Sequence, residues 1–323
     1  MKTKKEFHSF YHEELRPHLD SHEETRIAFV KKRNKVILIL TIIELPAMLF
    51  ILLVLNNFYF MLISLLVTIA IGYFILGHDH KNFKNAYKRQ VISKIVRFVE
   101  PGLNYRPTAY ITRDEYYDSQ LYLKNYDRYS GEDLVEGIYG KTRLKFSELK
   151  TEYKTTSTDS EGNTRTSWHT IFDGLFFMAD FNKNFSSRVV VLPDTAQKLF
   201  GFLGQKLQSW NFSRDELIKL ENAEFEESFV VYGNDQIEAR YILSPVLMEK
   251  IVALKKSVGT DISISFINSR INIAIPLNRD LFEPQTNIPV NTFSAVQEFF
   301  DDLIDFVEIV DDLQLNTRIW TKE

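Results

Sequence analysis

Four of the seven histidines in this chain of 323 residues form two i, i+4 pairs, His8/His12 and His18/His22. Side chains four apart share a helix face, so each pair could hold one zinc or similar divalent ion. Nothing supplies a third ligand at a diagnostic spacing, and Pro17 separates the pairs, so a solvated, interfacial helix face is the simpler expectation. Asp235, Glu238 and Arg240 form a second polar group, for which helix capping and a surface ion pair suffice. His169, in Ser167-Trp168-His169-Thr170, is the sole histidine after His80, so any histidine-based triad must use it; an exposed strand residue is expected. Asp180, Asn182 and Asn184 imitate a calcium loop, but Phe185 replaces the required glycine and Val191 stands where the bidentate glutamate belongs. A turn is the better account.

The absent motifs narrow the chemistry further. With no cysteine, thiol catalysis and cysteine-ligated metals are excluded. There is no P-loop, no G-x-G-x-x-G, no H-E-x-x-H and no G-x-S-x-G. No cofactor is therefore expected. Twelve Gly and nine Pro argue against collagen-like and disordered classes, and a net charge of −4 argues against a nucleic-acid partner. The bulk composition, with 45% hydrophobic residues and a mean hydropathy of −0.18, describes an ordinary soluble protein. Its distribution does not.

Between Val36 and Leu76 the one ionisable residue besides two tyrosines is Glu44. Val36–Leu55 holds 17 apolar residues of 20, and Phe58–Leu76 holds 16 of 19. Twenty helical residues rise about 30 Å, the thickness of a bilayer core, so the run predicts two transmembrane helices turning at Asn56-Asn57. A carboxylate at such depth costs about 2.5–3.5 kcal/mol, so a neutral, hydrogen-bonded Glu44 is expected. Glu44 lies about as deep as Thr68, and Ser64, Thr68 and Gly72 make a small-residue stripe suited to close helix packing. Within the hairpin or across a homo-oligomer, this polar pair is expected to join helices. A proton or cation path through Glu44 in an oligomer is the alternative.

The flanks set the orientation. Arg26, Lys31, Lys32, Arg33 and Lys35 precede the hairpin, and Lys81, Lys84, Lys88, Arg89, Lys94 and Arg97 follow it. The positive-inside rule places both termini in the cytoplasm of a multi-pass protein of the cell (inner) membrane. The expected organisation is an amphipathic arm over 1–35, interrupted at Pro17, and a transmembrane hairpin over 36–77. A basic juxtamembrane helix over 78–100, facing anionic headgroups of the lipid bilayer, leads into a cytosolic region over 101–323.

That last region reads as α+β, either as one body or as two lobes at 101–210 and 211–323. Nine of the fifteen tyrosines lie within 105–153, which suits strands with aromatic core positions. Strands are predicted at 133–139, 143–153, 168–181, 188–192 and 229–233, with a long mobile hairpin loop at 154–167. A helix opens at Pro193-Asp194 and runs to about Trp210, with Gln197 completing a capping box. Asp235 starts a short helix, Ser244-Pro245 starts another ending near Gly259, and 262–266 with 271–275 form a hairpin around Asn268-Ser269. The final helix, about 292–314, carries a solvated acidic face of Glu298, Asp301, Asp302, Asp305, Glu308, Asp311 and Asp312.

Two stretches carry a family resemblance. Phe172–Asp194, followed by FGFLG, and then Glu221–Ile251 resemble the bacterial family known as domain of unknown function 3137; the N-terminal hairpin and the basic helix after it are similar too. The resemblance implies a membrane-anchored bacterial protein and carries over no catalytic residue. Together these features point to a membrane-anchored cytosolic binding or scaffold protein with an unidentified protein partner. An enzyme using Asp/Glu or Tyr chemistry is the alternative class.

Overall fold

Two long helices open the chain: α1 (Lys4–Leu55) and α2 (Phe58–Val99). They belong to a computed structural model that describes residues 1–55, 57–160, 162–194 and 216–316. Thr3 and Glu6 form a capping box that starts α1, and the Asn57 side chain accepts from Tyr59 N–H and Phe60 N–H to start α2. Both helices are long and apolar enough to cross a membrane. The expected break at Pro17 does not occur. Proline lacks an N–H and its ring crowds the carbonyl four residues back; here a π-helical turn, Tyr11–Leu15, widens the helix just before it, and α1 continues.

The chain divides into two compact units, one comprising 1–95 with 282–301 and the other 96–281 with 302–323, of which residues up to 316 are described. In the first unit the N-terminal arm is packed rather than solvated on its apolar side. Phe7 stacks on Phe300 with centroids 4.2 Å apart, and Leu15, Leu19 and Tyr87 are buried. His22 is also buried, where a solvated face was expected. The basic helix departs from expectation as well: Lys88 is buried and pairs with Glu283 at 2.6 Å, and Lys84 pairs with the same carboxylate at 2.5 Å. Those two cations are held in ion pairs inside the unit.

The second unit is built on one antiparallel sheet. Its strands are β1 (Leu103–Arg106), β2 (Arg128–Tyr139), β3 (Thr142–Thr158), β4 (Thr164–Asp180) and β5 (Val189–Pro193). After them come β6 (Glu216–Ile218), β7 (Phe229–Gly233), β8 (Ser263–Ile267) and β9 (Arg270–Pro276). The described strands run in the order β1-β2-β3-β4-β9-β8-β5-β7-β6. Strands from either side of residue 210 therefore interleave in a single sheet, with β9 and β8 lying between β4 and β5, so the sheet does not split into two lobes there. The helices of this unit are α3 (Arg113–Asp118), α4 (Ala223–Ser228), α5 (Gln236–Ile242) and α6 (Pro245–Val258), and α7 (Phe293–Asp312) has its first residues in the first unit and its last in the second. The chain is thus α+β, with a two-helix apolar N-terminal segment.

Alternation sorts the two sheet faces. Phe172, Phe176 and Met178 join Tyr116, Tyr122 and Tyr129 in one aromatic core layer, which accounts for the tyrosine-rich stretch. Phe146 and Phe177 stack on the opposite face, and Phe146 meets Phe306 of α7 with centroids 5.6 Å apart. The 154–167 stretch is not a long loop: β3 and β4 pair out to Thr158↔Thr164, because Thr-rich sequence favours paired, half-exposed strands. Asn268 and Ser269, both at positive φ, close the expected β8–β9 hairpin. The helix expected from Pro193-Asp194 to Trp210 lies outside the described residues beyond Asp194.

The acidic face of α7 is partly engaged instead of solvated. Arg279 forms a two-pronged pair with buried Asp302, the Nη1 bond measuring 2.9 Å. Tyr139 O–H donates to Asp311 at 2.5 Å, and Lys4 pairs with Asp301 at 3.0 Å in the first unit.

Candidate functional site

Glu44 sits at the centre of the apolar hairpin. α1 and α2 run as neighbours, and depth counted from the polar ends brings position 44 level with position 68, with position 64 about one turn further in. Ser64 Oγ donates to Glu44 Oε1 at 2.7 Å and Thr68 Oγ1 donates to Oε2 at 2.6 Å. Both carboxyl oxygens are thereby engaged by one helix of the same chain. Gly72 continues this stripe; a Cβ built there would stand 3.2 Å from Leu40 Cδ1, so its lack of side chain permits the close approach. Burial in the hairpin is reversed relative to a water-soluble helix pair. Glu44 is 7% exposed while Ile43, Leu66 and Phe74 are 62%, 57% and 86% exposed.

The histidines do not assemble into a four-ligand site. His8 Nε2 and His12 Nε2 lie 3.4 Å apart on the exposed side of α1, a spacing that suits a shared ion. His18 is exposed, whereas His22 turns inward and hydrogen-bonds Gln90 Oε1 at 3.1 Å. Burial lowers the His22 pKa from its ordinary value. His169 lies on β4, stacked on Tyr153 and hydrogen-bonded to Thr155 Oγ1 at 2.8 Å.

Asp235, Glu238 and Arg240 are pulled apart by separate tasks. Asp235 caps α5, accepting from Ile237 N–H and Glu238 N–H. Glu238 accepts from Ser187 N–H at 2.6 Å and from Ser186 N–H; hydrogen bonding from Ser187 leads the causes that hold its carboxyl below the usual range. Arg240 donates to Lys219 O at 3.4 Å. Asp235 closes the start of α5 itself, while Glu238 and Arg240 tie the helix to two different neighbouring segments.

Two features escaped the sequence reading. Among the described residues, Glu132, Asp133 and Glu148 bring carboxyl oxygens within 4.8 Å of one another, an oxygen-rich set of the type that holds hard cations. Register explains it, because Glu132 pairs directly with Glu148 and a bulge follows Glu132. Tyr105 O–H already donates to Asp133, and Leu281 N–H to Glu148, so strand pinning accounts for the cluster. Where β4 begins and β9 ends, a groove of about 540 Å³ is lined by Tyr122, Phe172, Asp173, Leu277, Arg279 and Asp280. Asp173 pairs with Lys150 at 2.6 Å. No sequence spacing announces either feature, since each depends on strand pairing between distant segments.

Among curated proteins no sequence matches the chain. Among solved structures, the mycobacterial trehalose monomycolate transport factor A, TtfA, is 7% identical, covers 68% of this chain and 95% of its own, and superposes at a TM-score of 0.32. The N-terminal hairpin lies outside the family match, which begins inside β4 and ends just after α7. Over residues 170–315 the chain matches the model of the family described as protein of unknown function (DUF3137), and this is the family it resembles.

Proposed function

We propose that this chain is a membrane-anchored binding or scaffold protein of the bacterial inner membrane. In this reading α1 and α2 cross the bilayer as a hairpin, both chain ends lie in the cytoplasm, and the α+β unit works there. The reversed burial of the hairpin carries the anchor: its acid is inside and its apolar side chains are outside, the arrangement that suits a hydrocarbon solvent. Lys31, Lys32, Arg33, Lys35 and Lys81 flank the apolar segments on the same side of the turn, which supports the orientation and an affinity for anionic headgroups. Glu44 acts in this account as a helix-pairing residue. Its two oxygens are engaged within one hairpin, which favours pairing over an ion path assembled from several copies.

A binding role for the cytosolic unit is supported by its grooves, together with the lack of a recognisable catalytic motif in the sequence. Alkaline carbonate washing of native membranes tests the anchor. The full chain should stay in the pellet and leave only with detergent; release by carbonate alone would overturn the reading. Crosslinking and mass spectrometry from the same membranes test the binding role, and absence of any reproducible protein or small-molecule ligand would count against it.

A further inference from the structure

A pocket of about 280 Å³ lies where the start of α6 meets the segment after β4 and the residues just past α7. Phe181, Val246, Leu247, Leu313 and Leu315 give it mostly apolar walls. Its charged lining residues are two lysines, and none of its described lining residues is an acid. Lys183 Nζ donates to Tyr241 O at 2.6 Å and Ile242 O at 3.2 Å, with the Tyr241 ring 4.8 Å away. Lys250 Nζ donates to Asp312 O at 2.6 Å. An ammonium has three N–H donors, so these carbonyls leave donor capacity on both lysines. Burial lowers the Lys183 pKa from its ordinary value, and a desolvated cation gains from an anion brought alongside. Ser244, the N-cap of the 14-residue helix α6, lines the same pocket and brings the positive end of the helix dipole to its wall.

We propose that this pocket binds a small organic carboxylate with an apolar body, the acid group on Lys183 and Lys250 and the body among Val246, Leu247 and Leu313. The pocket lies wholly within the α+β unit, so the proposal stands apart from the membrane reading. It is tested on the full chain in phosphatidylcholine nanodiscs with hexanoate as probe and hexanamide as its neutral isostere. The readout is the rate of amine acetylation at each lysine by mass spectrometry, with exposed Lys154 as internal reference. Hexanoate should protect Lys183 and Lys250 saturably, and hexanamide should not. Lys250→Met should weaken the apparent hexanoate affinity by about tenfold or more, the loss of a charge-assisted contact. Val246→Glu should weaken it similarly while leaving both lysine–carbonyl bonds in place, and it decides the matter where a lysine variant fails to fold. Equal protection by hexanamide, protection that does not saturate, or unchanged affinity in Val246→Glu would overturn the proposal.

Discussion

Ser64 and Thr68 each donate to one oxygen of Glu44, and their hydroxyls set what the helix pairing proposed for Glu44 is worth. Replacing Thr68 by Val keeps the shape and removes the 2.6 Å bond to Oε2. Interhelical hydrogen bonds of this kind contribute about 0.6–1.7 kcal/mol inside a bilayer, so Thr68→Val should lower hairpin stability by that order. Thermal unfolding in nanodiscs checks it, with Ile69→Val, an exposed neighbour, as the neutral control. A second residue-level prediction concerns acid. Burial places the His22 pKa below its ordinary value near 6.5, so the folded arm favours the neutral ring. The unfolded chain then takes up its proton first as pH falls. The stabilising contribution is complete above about pH 6.5 and is lost as pH drops through the window below it. His80 is shifted in the same direction, again chiefly by burial. The wild type should therefore lose more thermal stability than His22→Gln between about pH 7.5 and pH 5.5. Parallel losses in the two proteins would show that His22 is not the sensor.

Among the elements, β4 carries a tight backbone constraint at Gly174. Gly174 adopts φ +149°, and a Cβ there would fall 2.3 Å from Ile275 O and 2.6 Å from Leu277 N of the adjoining strand and its exit. Both clashes are with backbone, which cannot swing away. Gly174→Ala should destabilise the α+β unit by about 2–4 kcal/mol, measurable as a lowered denaturation midpoint. Element existence was readable because it depends on local pattern. The capping of α5 by Asp235, the α6 stop at Gly259 and the Asn268-Ser269 turn all follow from residues within a few positions of one another. Sheet order was not readable, since period-2 alternation marks strands without saying which pair. The Thr-rich 154–167 stretch shows a related failure: polarity suggested a loop, while cross-strand pairing of its β-branched residues extends both strands. At the Glu44 site, depth matching across a single hairpin was enough to bring Glu44 and Thr68 together, while Ser64 was marked only by the small-residue stripe and its bond to Glu44 had no separate signal. The His22–Gln90 contact, 68 residues apart, had no such ruler.

At the scale of the whole molecule, the proposed topology has two apolar spans, an uncharged turn on one side of the bilayer and both chain ends on the other. The distribution of residues supports it where bulk composition does not, because the mean hydropathy averages an apolar hairpin with a polar remainder. The absence of cysteine makes the topology open to a clean test, since every engineered thiol is unique. Asn57→Cys marks the turn, Ser157→Cys marks the exposed end of β3, and Ser9→Cys marks the N-terminal arm. Labelling with a membrane-impermeant maleimide should modify Cys at position 57 in intact cells, and at positions 157 and 9 only after permeabilisation. Modification at position 157 or 9 in intact cells, or none at 57 from outside, would contradict the account.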